Sequence, residues 1–159
     1  MVLYDHIVYK YEANEEELKQ ISERHLRIKV FTENTNFVSG LTNLNFFYIP
    51  EEDYDKIIDF QAQTYNYNEK GDLQISPLEK SNIYREEYKK KEFSTLSATL
   101  PNIRKGSVFE IKYKKISDYR IVINDWYFQY SYPVKYSEFE AFIPQLYQFT
   151  VLLDNTKTI

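Results

Sequence analysis

The chain has 159 residues, no cysteine and a net charge of -4 at pH 7, enough for one domain with its own core but without thiols for disulfides, thiolate metal sites or a cysteine nucleophile. The acidic balance argues against a nucleic-acid partner, which calls for a basic stripe along the phosphate backbone. No run approaches the ~20 apolar residues that span a bilayer, so no transmembrane segment is expected.

The compositional outlier is aromatic content, with 16 Tyr, 11 Phe and a single Trp. Large amphipathic rings suit a pleated, half-buried sheet surface. Three glycines and five prolines leave most turns to Asn and Asp, which support turns through local side-chain hydrogen bonds. The expected class is all-β: an antiparallel two-sheet β-sandwich with at most one or two short helices, occupying 1–153.

In chain order, Ile7, Tyr9 and Tyr11 alternate with Val8 and Lys10, giving a first strand. The acidic segment 14–17 reads as a turn into a second strand with Leu26, Ile28 and Val30 inward and His25, Arg27 and Lys29 outward, an opening hairpin. Residues 34–43 read as a polar loop and 44–49 as a short strand closed by Pro50. Ile57 to Tyr67 gives a strand with Ile58, Phe60, Ala62 and Thr64 on one face, and Gly71 supplies a turn into Leu73 to Ile75.

Ser76-Pro77-Leu78-Glu79 carries a helix-start pattern, with a cap hydroxyl, proline at the first position and Glu three residues on, predicting about two helical turns. Beyond Ile83 the residues leave two readings open, since Arg85 to Lys91 is rich in helix formers, and Lys89-Lys90-Lys91 among glutamates reads as a solvated face. Pro101 to Gly106 is a predicted turn, followed by strands at Ser107 to Lys115, Tyr119 to Ile123, Trp126 to Tyr132 and Glu138 to Ile143. About ten strands with this many apolar faces require a second layer.

No complete catalytic constellation is legible. His6 and His25 are the two candidate bases, and no short His–x–His or His–x–x–x–His spacing organises them for metal, so neither a metal nor another cofactor is expected. Gly40, Gly71 and Gly106 are isolated, which removes glycine-rich phosphate loops. Glu138 and Glu140 share a strand face, as a carboxylate-pair hydrolase would need, but outward acidic residues ordinarily serve solubility. The candidate interaction surface is therefore the exposed half of the aromatic segment and its neighbours, namely Tyr127, Gln129, Tyr136, Glu138 and Glu140, with Trp126, Phe128 and Tyr130 expected in the core.

Several phrases carry a resemblance: Glu23-Arg24-His25-Leu26-Arg27-Ile28-Lys29, Pro101-Asn102-Ile103-Arg104-Lys105-Gly106-Ser107-Val108, Asp125-Trp126-Tyr127-Phe128-Gln129 and Pro133-Val134-Lys135-Tyr136-Ser137-Glu138. Together they resemble the domain of unknown function at the N-terminus of bacterial transglutaminase-like envelope proteins, over about Val2 to Pro144. The resemblance implies a non-catalytic accessory domain of an exported, periplasmic or cell-envelope protein, with a downstream transglutaminase-like domain as its partner. It also implies a strand pair from Ile83 to Leu100, the extended reading favoured there; the abrupt start at Val2-Leu3-Tyr4-Asp5 is expected to follow a leader, and the polar segment 154–159 reads as a tail or the start of a linker. The alternative is a free-standing glycan- or peptide-binding module.

Overall fold

Period-two patterning becomes eight strands in the computed structural model, which describes residues 1–13, 18–33, 55–87, 94–118, 123–145, 147, 148 and 150–152. They are β1 (Val2–Ala13), β2 (Leu18–Lys29), β3 (Asp55–Tyr67), β4 (Leu73–Pro77), β5 (Ile83–Glu87), β6 (Ser94–Ala98), β7 (Val108–Ser117) and β8 (Ser137–Ala141). Six form one sheet in the order β4-β3-β7-β2-β1-β8, and β5 and β6 form a separate antiparallel ribbon. The expected turn at 14–17, loop at 34–43, strand at 44–49, lysine cluster at 89–91, residues 119–122 of a further strand and the tail at 154–159 lie outside the described residues.

The class is all-β, as the sequence implies. β1 and β2 pair antiparallel from Ala13 opposite Leu18 to Val2 opposite Ile28, the expected opening hairpin. β7 runs antiparallel to both β2 and β3, so it sits inside the sheet with each flank paired. Its alternation is sharp: Phe109 and Ile111 face a core that also contains Val2, Leu26, Ile28, Val30 and Leu100. β6 buries Leu96 and Ala98 and leads directly into Leu100, which ties the ribbon to the main core.

Three local expectations give way to tertiary structure. The helix pattern at Ser76 yields only a single 3-10 turn at Lys80–Asn82. Ser76 and Pro77 are instead the end of β4, paired with Thr64 and Gln63, and the Ser76 hydroxyl accepts from Asn102 Nδ2 at 2.9 Å rather than capping a helix. β3 carries an irregularity between Ile58 and Gln61, with Asp59 at φ 53°. Such a bulge bends the strand and raises its twist.

The third difference is the most consequential. The sheet is mixed, because β8 runs parallel to β1, from Asp5 opposite Ser137 to Tyr9 opposite Ala141. Consequently β7 and β8 point the same way and their connection has to cross the sheet. Trp126 to Tyr132, expected as a strand, has no strand structure and belongs to that crossover.

Its rings cover the inner face. Tyr130, Tyr132 and Val134 pack on the core, while Phe128, expected inside, is exposed. The crossover is anchored by an ion pair: Arg24 donates to both Asp5 carboxylate oxygens at 2.8 Å. The Trp126 ring lies 5.0 Å from the Arg24 guanidinium carbon, and Tyr130 donates to Asp5 at 3.3 Å. Asp5 is fully buried.

Replacing Asp5 with Asn leaves the Arg24 guanidinium covered but uncompensated, and Asp5→Asn is expected to cost about 3–5 kcal/mol, the range for breaking a buried pair. Urea unfolding of the variant checks this, and a loss below about 1 kcal/mol would contradict the anchoring role.

Candidate functional site

The opposite face of the same sheet is polar, and register explains its layout. His6 stands opposite both His25 on β2 and Glu138 on β8, and His25 stands opposite Lys112 on β7. One step along, Tyr4 opposes Arg27, Arg27 opposes Glu110, and Glu110 opposes Gln63. These rows place carboxylates, imidazoles and cations side by side across the strands. Beside them is an open depression of about 470 Å³ lined by His6, Glu23, His25, Asp59, Gln61 and Lys112, among others.

Glu110 is the hub of one half. Only 3% of it is exposed, although it projects from the polar face, because the neighbouring side chains close over it. Tyr65 donates to its Oε2 at 2.6 Å and Gln63 at 3.3 Å. Arg27 donates to Oε1 at 3.1 Å, Lys112 lies 3.3 Å away, and His25 Nε2 closes the set. Burial by itself would raise the Glu110 pKa, but the hydrogen bonds from Tyr65 and Gln63 and the Arg27 cation outweigh it and hold the carboxyl at about 2. His25 is pushed below 6.5, by burial first and by the Lys112 and Arg27 charges, against the opposing pull of Glu110.

The second half lies where β8 meets β1. His6 Nε2 is 2.6 Å from Glu140 Oε1 and 3.8 Å from Glu138 Oε2. Tyr136 donates to Glu138 Oε2 at 2.8 Å, and its own phenol pKa rises chiefly through that bond. Tyr136 stacks on Tyr4 with centroids 5.3 Å apart and planes within 4°. Tyr4 also meets the His25 ring edge-on at 4.9 Å, so one aromatic joins both halves.

Of the surface expected from sequence, Tyr136, Glu138 and Glu140 are brought together here. Tyr127 and Gln129 are exposed on the crossover, whose contacts at Trp126 and Tyr130 are with the opposite face. Tyr4 and Glu110 are functional candidates that sequence reasoning missed, while His6, a candidate base by sequence, finds its carboxylate partners only in the fold. The alternation of β1 places Tyr4 and His6 on one face, but a partner contributed by the far end of the chain leaves no local trace. Both histidines engage carboxylates, and among the described residues neither is paired with a serine or threonine hydroxyl.

No protein-family model matches the chain, and no curated protein matches it. Among solved structures the fold is similar to a crystal structure described as a "putative protease" from Parabacteroides distasonis, at 10% sequence identity and a TM-score of 0.54. The likeness covers 73% of this chain and 22% of that one. It is a likeness of fold.

Stability should track the Glu110 charge. A carboxyl held at about 2 when folded and near 4.5 when free contributes stability above pH 4.5 that is lost as pH falls toward 2. His25 acts in the same sense at higher pH, because a folded pKa below 6.5 makes the unfolded chain bind the proton more readily. Glu110→Gln is expected to cost roughly 1.5–3 kcal/mol at pH 7, the range for hydrogen bonds to a charged group, and to flatten the acid limb. Urea midpoints measured from pH 7 to pH 3 check both effects.

Proposed function

We propose that this chain is a non-catalytic accessory domain of a larger exported transglutaminase-like protein, where it packs against and positions a neighbouring catalytic domain. Compatible with a place in a longer protein is the unequal coverage of the fold likeness: 73% of this chain corresponds to 22% of a longer protein described as a "putative protease". In that protein the fold is a minor part of a larger chain. The observation that carries the reading is the resemblance of the motifs around Arg24, Gly106, Trp126 and Val134 to a domain that precedes transglutaminase-like domains.

The expected result is that the isolated chain shows no amine-transfer or peptidase activity, while the parent gene encodes a Cys, His and Asp set downstream of Ile159. The isolated chain is also expected to bind that downstream domain when the two are mixed. Activity in the isolated chain, or a stop codon directly after Ile159, would overturn the reading.

A specific observation favours a second reading, a glycan- or peptide-binding module: the stacked Tyr4–Tyr136 pair, with Tyr136 46% exposed beside Glu138. Exposed aromatics next to acceptors suit both sugar faces and peptide side chains. Under this reading Tyr136→Ala weakens binding to cell-wall glycans or peptides on the order of tenfold, the cost of a hot-spot aromatic. Calorimetric titration showing no binding by the unmodified chain would remove it.

A further inference from the structure

The corner where β8 joins β1 holds the groundwork of a metal site. His6, Glu138 and Glu140 each offer one ligand atom, and those atoms all lie within 4.8 Å of one another. We propose that these three side chains bind one divalent transition-metal ion, with zinc as the ion of best fit. The proposal is independent of the accessory-domain reading.

Strand geometry supplies the convergence. Glu138 and Glu140 are two residues apart on one strand and so project from the same face. His6 lies directly opposite Glu138 on the paired strand and diagonal to Glu140, which is opposite Val8. Two sheet strands therefore set all three donors, a more rigid mounting than a loop provides.

Charge argues for a cation. Among the described residues neither Glu138 nor Glu140 pairs with a lysine or arginine, their contacts being His6 and the Tyr136 hydroxyl. The nearby cations Arg27 and Lys112 engage Glu110 instead. Two carboxylates facing one imidazole leave negative charge that a divalent ion neutralises. One nitrogen and two oxygens match a zinc set with its fourth position open to water, whereas magnesium and calcium favour oxygen alone.

Distances agree with small side-chain adjustments. Ligands about 2.1 Å from a tetrahedral ion lie about 3.4 Å from each other, and the two contacts from His6 Nε2, 2.6 and 3.8 Å, bracket that value. Tyr136 holds Glu138 by its hydroxyl, the kind of outer contact that orients a ligating carboxylate. Its ring is braced in turn by Tyr4.

The test is calorimetric titration of the full chain with zinc chloride after treatment with chelator. One equivalent should bind, with affinity falling by about tenfold or more in His6→Asn, Glu138→Gln and Glu140→Gln, and by less in Tyr136→Phe. Glu23→Gln, on the same face but outside the triad, should bind as the parent does. Far-UV circular dichroism without metal verifies that each variant is folded. A readout on the unaltered chain removes dependence on variant folding: zinc should shift the ring nitrogens of His6 in NMR spectra and leave those of His25 in place. No zinc binding, binding unaffected by the three ligand substitutions, or a shift confined to His25 would each overturn the proposal.

Discussion

Arg24 and Asp5 form the contact on which the placement of residues 123–141 depends. Because β7 and β8 run in the same direction, the chain between them must traverse the inner face, and an all-apolar surface would hold it without specifying where. The bidentate pair, with Trp126 above it and Tyr130 beside it, supplies a directional anchor. Burial alone would make the guanidinium easier to deprotonate, but its hydrogen bonds to Asp5 outweigh this and keep it charged. Desolvating two ions is costly, and here it is offset by hydrogen bonds to both carboxylate oxygens and by the aromatic cover. Trp126 extends the anchor to β8 by donating to Ser137 Oγ at 3.0 Å.

One sheet thus serves two purposes through its pleat. Along β7, Phe109 and Ile111 go to the core while Glu110, between them, organises five polar neighbours on the other side. The two faces are mechanically linked, since a shift of one residue in register would move every side chain to the wrong side. Packing at Phe109 and the inner anchor at Arg24 therefore hold His25 and His6 at fixed separations from their carboxylates. Precision on the polar face is inherited from packing on the apolar one.

Much of this was legible from alternation. The inward set Leu26, Ile28 and Val30 and the turn at Gly71 follow from short-range patterns, and the structure has them; the extended 83–87 and 94–98 followed from the motif resemblance, against the helix formers of that stretch. Ser76 misled because its hydroxyl bonds to Asn102 from a distant turn. Trp126 to Tyr132 misled because alternating rings suit a cover over a core as well as a strand within a sheet. The site was half legible: Glu138 and Glu140 share a face by simple periodicity, but their convergence on His6 depends on a parallel pairing that leaves no local signature. Glu110 was hidden for a related reason, since no sequence pattern tells which outward residue its neighbours will close over.

The pairing of β1 with β8 joins segments far apart in sequence, with His6 and Glu140 134 residues apart. During synthesis β1 can pair with β2 almost at once, while its other edge has no partner until Ser137–Ala141 has left the ribosome. Through that interval a long strand carrying Ile7 and Tyr9 presents unpaired backbone groups, the condition that favours association between nascent chains. Closing a loop over such a distance also carries an entropic cost. The polar triad is assembled at this edge, so His6 can meet its carboxylates only after Ser137–Ala141 has been synthesised.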